Sequence, residues 1–348
     1  MKRRTFMLTC LLSAIADATP QYAKVLRGLA LRFPRDHGGH SDFRTEWWYV
    51  AGALDLPRND IGFQLTFFRV RTGFAEALSS PIAASQILFA HAAVTLPGDK
   101  LLHADRAARA NLGAGFSTTD CDVHIGAWQM RRSASDVFTL KAQDAQFAFD
   151  FSLSATQPKM LQGDAGFSQK GARAEQASYY VTWPQLQVDG SVILDGKLQR
   201  AQGKAWFDHE WSSEVLGEAD VGWDWLGINL ADGGALMAFR IRDEAGATVF
   251  AYATLRDSAG RTQNWSAADV QFKSFRKWRS ARGTEYPVET ELRFGPHVIR
   301  TKPTIDDQEL STRRPAPVTY WEGLVQVEGT LIGRGYLELT GYAGKIVM

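Results

Sequence analysis

Ile61-Gly62-Phe63-Gln64-Leu65-Thr66-Phe67-Phe68-Arg69-Val70-Arg71 sets a large apolar side chain at every second position from Phe63 to Phe67. A period of two marks a half-buried β-strand, because successive strand side chains point to opposite faces. The run before it, Trp47-Trp48-Tyr49-Val50-Ala51-Gly52-Ala53-Leu54-Asp55-Leu56, alternates in the same sense. Pro57-Arg58-Asn59-Asp60 supplies turn residues between the two. The pair reads as a hairpin.

Working outward, the same signal recurs. Residues 86–96, 121–131, 137–143 and 146–154 read as strands, whereas His103–Arg109, rich in alanine, reads as helical or irregular. Ser178–Pro184 is an aromatic strand that proline should break. Residues 185–192 and 194–204 predict a hairpin about Asp195-Gly196. A second follows about Asp232-Gly233-Gly234, and a third has Gly295-Pro296 at its turn. Many short strands with little helical periodicity predict an all-β protein of two tandem barrel or sandwich units. The spacer Ser212–Asp220 sets the expected boundary, giving domains 36–214 and 215–348.

Composition narrows the function classes. Lys plus Arg number 39 and Asp plus Glu 38, so no global field favours nucleic acid. Eleven tryptophans suit either a Trp-rich core or an aromatic-lined ligand cavity. Lys2-Arg3-Arg4, the apolar run Thr5–Ile15 and Ala16-Asp17-Ala18 form an expected signal peptide over 1–18, with 19–35 a leader. Arg3-Arg4 also fits twin-arginine export. The expected location is periplasmic or secreted, with no integral membrane segment once the signal is removed. Cys10 leaves with that segment, so Cys121 is left without a disulfide partner, and Asp120 and Asp122 would raise its thiol pKa.

The chemistry concentrates in Ala205–Gly227, where Trp206, Asp208, His209, Glu210, Trp211, Trp223, Asp224 and Trp225 fall close together. On a strand, Asp208 and Glu210 share a face and His209 takes the other, so the three do not converge on one ion. His91, His103 and His209 lack a metal-ligand spacing, and no metal site is expected. No Gly-x-Ser-x-Gly elbow supports a serine hydrolase. The Gly-rich stretch 162–171 lacks the Lys-Ser/Thr ending of a phosphate-binding loop. A carboxylic acid in an apolar, aromatic setting is a different matter. It stays protonated at neutral pH and can serve as a general acid, with no cofactor.

Eight segments, in one order, carry a family resemblance: His40–Tyr49, Gly62–Arg69, His103–Arg106, Gln162–Asp164, Asp208–Trp211, Gly222–Trp225, Tyr320–Gly323 and Glu338–Tyr342. The chain resembles the AttH/CrtC family of secreted lipocalin-like proteins, which includes carotenoid 1,2-hydratases and AttH components encoded with ABC transporters. The resemblance implies two lipocalin-like β domains. It implies either an apolar lipid or isoprenoid ligand, with an ABC permease as a possible partner, or a hydratase-type hydro-lyase. His209 and Trp211 match the hydratase motif. The Tyr-x-Asp pair of the hydratases is absent, Leu236 and Ala238 standing in its place.

The candidate catalytic residues are accordingly Asp224, His209, Trp211 and Glu210. Trp47, Trp48, Tyr49, His91, Trp206, Trp223, Trp225 and Trp321 are the candidate ligand-binding residues. Arg44, Glu46, Arg69, Arg106, Asp208 and Glu322 are expected in a structural ion network.

Overall fold

The computed structural model describes residues 21–346 apart from 57–59, 75, 77, 79, 81, 99 and 313–316. The expected signal peptide and the turn at 57–59 lie outside the described residues. Thirteen strands form the first sheet: β1 (Thr45–Asp55), β2 (Asp60–Arg71), β3 (Gln86–Leu96), β4 (Lys100–Ala110), β5 (Gly113–Phe116), β6 (Asp122–Ile125), β7 (Trp128–Arg132), β8 (Val137–Gln143), β9 (Phe147–Ser154), β10 (Met160–Leu161), β11 (Phe167–Gln169), β12 (Ala177–Leu194) and β13 (Lys197–Glu214). Ten form the second: β14 (Asp220–Leu230), β15 (Ala235–Asp243), β16 (Thr248–Arg256), β17 (Thr262–Ser266), β18 (Val270–Arg279), β19 (Glu285–Phe294), β20 (His297–Pro303), β21 (Glu309–Thr312), β22 (Val318–Gly329) and β23 (Gly333–Leu339).

The first sheet closes. Neighbouring strands run from β13 through β1 and onward to β9, and Gln187–Leu194 of β12 pair with Phe147–Ser154 of β9 to complete an eleven-stranded barrel. The other half of β12, beyond the barrel, pairs with β10 and β11. The second sheet stays open as a half-barrel, with β17 and β18 at its edges. The chain passes from one sheet to the other between Glu214 and Asp220.

Alternation decides what each face meets. On β1, Trp48, Val50 and Leu54 point into the barrel, while Tyr49, Ala51 and Ala53 point toward the second sheet. On β2, Phe63, Leu65 and Phe67 fill the barrel, and the Phe63 ring lies 4.8 Å from that of Phe151. Each such buried phenylalanine stabilises the fold by roughly 1.5–3 kcal/mol. These side chains belong to one continuous hydrophobic core inside the barrel.

Two local expectations change. His103–Arg109 is part of β4, an antiparallel partner of β3 with His103 opposite Ala93. Pairing along the whole of β3 overrides the alanine-rich helical preference, which is worth only tenths of a kcal/mol per residue. Pro184 does not break its strand either. β12 is continuous through a register shift between Trp183 and Leu186, and Gln185 takes a φ of 57° there.

The bulge also ties the sheets together. The Gln185 backbone N–H donates to Asn229 Oδ1 at 2.7 Å, and its side-chain amide donates to the carbonyls of Leu230 and Gly234 at 2.9 and 2.7 Å. Asn229 Nδ2 in turn donates to the Ala205 carbonyl at 3.1 Å.

Candidate functional site

The outer face of the barrel over β12, β13, β1 and β2 is covered by β14, β15, β22 and β23, and a cavity remains between the two layers. From the barrel come Trp47 and Tyr49 (β1), Thr66 and Phe68 (β2), Tyr180 (β12) and Asp208 and Glu210 (β13). From the second sheet come Trp223 and Trp225 (β14), Phe239 and Ile241 (β15), Tyr320 and Glu322 (β22) and Glu338 (β23). Lys170, just beyond β11, and Val215, just beyond β13, complete the wall. The cavity is tight, about 90 Å³ of room for water-sized molecules within about 740 Å³ that also counts its open mouth.

Four carboxyl groups face this aromatic space, and they are held differently. Glu210 is ion-paired with Lys170 Nζ at 2.8 Å and accepts a hydrogen bond from the Ser178 hydroxyl. The Lys170 ammonium also lies 4.2 Å from the Phe239 ring and 4.7 Å from the Tyr180 ring. Asp208 has hydrogen-bond donors and no cation among the described residues. Thr182 Oγ1 and Trp206 Nε1 donate to its Oδ1 at 2.7 and 2.9 Å, and the Tyr180 hydroxyl donates to Oδ2 at 2.7 Å. Burial pushes the Asp208 carboxyl up to about 7 against those three bonds, with Glu210 adding to the rise.

The second sheet supplies the other two. Glu322 is buried with Oε1 lacking any hydrogen-bond partner, and the Tyr49 and Tyr320 hydroxyls face it. Burial, then the proximity of Glu338, raises its pKa well above the usual carboxylate range. Burial likewise pushes Glu338 up to about 7, although Trp223 Nε1 donates to its Oε2 at 2.7 Å. Burial thus shifts all three carboxyls toward the protonated form in an apolar, aromatic setting.

The expected site residues do not all meet in one place. Trp47, Tyr49, Trp223, Trp225, Glu210, Asp208 and Glu322 meet at the cavity. Trp206 packs against Trp225 between the sheets, at a ring distance of 6.2 Å. His91 lies behind the cavity, its Nδ1 2.8 Å from the Tyr320 hydroxyl, and burial lowers its pKa to about 3. Trp321 points to the opposite face of β22, where its indole donates to the Asp306 carbonyl at 2.7 Å.

His209 and Trp211 face the barrel, away from the cavity. His209 Nε2 is 2.9 Å from Glu46 Oε1, its Nδ1 is 3.2 Å from the Asp36 carbonyl, and its ring stacks on Trp48. Trp48 Nε1 donates to the His37 carbonyl at 3.0 Å. Trp211 stacks on His40 at 3.8 Å. His40 joins Glu46 at 2.7 Å and Asp36 at 3.2 Å, and Arg69 Nε donates to Glu46 Oε2 at 2.8 Å. Burial would raise the Glu46 pKa, but Arg69 and the two histidines hold it well below the usual range. His40, Glu46 and His209 bring possible metal ligands within 4.8 Å of one another. Their separations are hydrogen-bond lengths, and the Arg69 guanidinium already compensates Glu46. The arrangement is a proton-linked lock that fastens the segment around Asp36–His40 to the barrel.

Asp224 lies on the far face of β14. It accepts from Arg240 Nε at 2.7 Å, Arg242 Nε at 2.9 Å and the Tyr342 hydroxyl at 3.0 Å. Two guanidiniums hold it in a buried ion-pair cluster on the side of β14 away from the cavity. Of the expected ion network, Glu46 and Arg69 pair as described. Arg44 instead lies over the Tyr22 ring at 5.8 Å, and Arg106 pairs with Asp144 at 2.9 Å over the Trp128 ring. Cys121 is buried, and its pKa is raised first by burial and then by Asp120 and Asp122.

Lys170 and Glu338 are the charged cavity residues not singled out from sequence, and Thr66, Phe68, Tyr180, Val215, Phe239, Ile241 and Tyr320 are the uncharged ones. Glu338 stood in a motif without a partner to give it meaning. Lys170 sat in a Gly-rich stretch that reads only as a loop.

The sequence model of the AttH-like family matches residues 24–342. The chain belongs to that family. An AttH protein of Nitrosomonas europaea is similar in structure at 43% identity, covering 92% of this chain and 99% of that one, with a TM-score of 0.85. Kievitone hydratase from Nectria haematococca shares the fold at 17% identity, covering 94% and 97% of the two chains, with a TM-score of 0.67. No curated protein matches this sequence. The AttH-like fold is thus a lipocalin-like barrel joined to a half-barrel, with the cavity at their junction.

Proposed function

We propose that this AttH-like protein binds an apolar, alkene-bearing small molecule of isoprenoid type between its sheets and adds water to it, or removes water, by acid catalysis without a cofactor. The observation that carries the reading is the set of buried carboxyls, Asp208, Glu322 and Glu338, shifted toward the protonated form by burial inside a wall of Trp47, Tyr49, Trp223 and Trp225. A neutral acid protonates a trisubstituted alkene, the π electrons forming the new C–H bond and leaving a tertiary cation. Aromatic faces stabilise that cation by about 0.5–2 kcal/mol each. Water then adds its oxygen, and the released proton returns to a carboxylate. The structural kinship with a protein named as a hydratase supports the class of reaction, and the substrate is left to this cavity's own shape. A terminal prenyl group suits its tight dimensions, whereas a whole C40 polyene does not.

The test is incubation of purified protein with prenylated phenols and acyclic isoprenoids in ¹⁸O-labelled water. Tertiary alcohol carrying the label supports the reading. Saturable binding, seen by quenching of cavity tryptophans, with no labelled product refutes it. That result would favour a ligand carrier that serves an ABC permease, the second use suggested by the family. In either case the protein acts in the periplasm after loss of residues 1–18.

A further inference from the structure

The proton has to come from a particular group, and the geometry distinguishes among the acids. Both Asp208 oxygens already accept hydrogen bonds, two at Oδ1 and one at Oδ2. A proton on Asp208 therefore has to compete with three donors already bonded to the carboxyl, the Tyr180 hydroxyl among them, which makes this group the poorer source for a ligand. Glu210 is committed to Lys170. The second sheet differs. Glu322 and Glu338 are direct cross-strand partners on β22 and β23, and both side chains line the cavity. Neither is ion-paired among the described residues. Glu338 accepts from Trp223, but Glu322 Oε1 is buried without a partner, as is the Tyr49 hydroxyl facing it. Two carboxylates side by side in an apolar wall do not both ionise, so such a pair retains a proton.

We propose that Glu322 and Glu338 hold one proton between them and that Glu322 delivers it to the alkene carbon of the bound ligand, an assignment that rests on the acid-catalysis reading above. The C–H bond forms from the π pair and the Glu322 O–H bond breaks. Water captures the tertiary cation and gives its surplus proton back to the carboxylate pair, so the cycle closes with water as the co-reactant. The groups facing the pair complete the electrostatic setting. Tyr49 comes from β1, Asp208 and Glu210 from β13, and Tyr180 from β12, with Lys170 beside Tyr180. Tyr320 and Tyr336 flank the pair on its own strands, and Tyr320 leads back to neutral His91. None of the tyrosines ionises near neutral pH, and the Lys170 charge is taken by Glu210. The pair keeps its proton for want of any other compensating charge.

The experiment uses Glu322→Gln and Glu338→Gln in the full chain, with two readouts. The first is turnover of a prenylated phenol across pH. E322Q is expected to lower kcat by about 10²–10⁴-fold, the usual share of a general acid, with binding little changed. E338Q is expected to keep part of kcat and to shift the alkaline limb of the pH profile about one unit lower, because Glu322 loses its repelling neighbour. The second is the infrared spectrum at pH 7, where the C=O stretch of protonated carboxylic acid should lose the pair's share of its intensity in E322Q, leaving that of Asp208. Wild-type kcat in E322Q, or an infrared band unchanged in both variants, overturns the assignment. A wild-type protein that turns over none of the alkenes overturns the acid-catalysis reading itself. The infrared band then still decides whether the pair holds a proton, since it needs no substrate.

Discussion

Replacing Asp224 with asparagine separates structure from chemistry. The Asp224 side chain is 1% exposed, and those of Arg240 and Arg242 are 11% and 4% exposed, so solvent screens this cluster little. Asparagine keeps one acceptor oxygen, offers an amide to the second guanidinium, and leaves two arginines without a counter-charge. Removing one partner of a buried pair costs about 3–5 kcal/mol. That is a large share of the roughly 5–15 kcal/mol that stabilises a typical domain. Urea unfolding followed by tryptophan fluorescence should show a lower midpoint with an unchanged m-value. Asp224→Asn with Arg242→Met should recover part of the loss, because one of the stranded charges is then gone. Turnover per folded molecule should stay near wild type. Loss of turnover with stability intact would refute the reasoning, and would make Asp224 the acid and this cavity a bystander.

Stability should also depend on pH through Asp208. Its carboxyl titrates at about 7 when folded and near 3.8 when unfolded, so above pH 4 the unfolded chain releases a proton that the native state keeps. This group's contribution is therefore fully present below about pH 4 and is lost as pH rises to about 7, by up to about 1.4 kcal/mol per unit. Asp208→Asn should flatten that slope in urea titrations at pH 5, 6 and 7. Lys170→Met strands Glu210 and should cost about 3 kcal/mol or more, with Glu210→Gln restoring much of it in a double-mutant cycle. Gly227→Ala would set a Cβ 2.3 Å from the Trp225 ring. The ring must then shift at a cost of about 1–3 kcal/mol, and ligand affinity measured by fluorescence quenching should fall roughly tenfold or more.

Local pattern carried the all-β reading well. The alternation at Phe63, Leu65 and Phe67 depends only on neighbours in sequence, and those residues fill the barrel. Asp195-Gly196 turns its hairpin with φ values of 48° and 72°, as an Asp-Gly pair is suited to do. The consecutive residues Asp208, His209 and Glu210 part to opposite faces for the same local reason. The cavity was less legible because its parts meet through pairings that no single stretch encodes. Glu338 gains significance only when β23 sets it opposite Glu322, and Lys170 only when β11 pairs with β12. Asp224 misled for the converse reason. Its tryptophan neighbours in sequence suggest an apolar setting, but they point to the other side of the strand, and its actual neighbours are arginines from β15.

The continuous β12–β13 hairpin has a mechanical consequence. Its lower half is a stave of the closed barrel and its upper half is a wall of the cavity, with the Gln185 bulge where the two meet. A guest molecule that spreads the layers pushes against a beam whose far end is clamped. The strain reaches the bonds between Gln185, Asn229 and Ala205 before it reaches the barrel. The hairpin works as a cantilever, and amide exchange at Gln185 is the strain gauge that would register occupancy from outside the cavity.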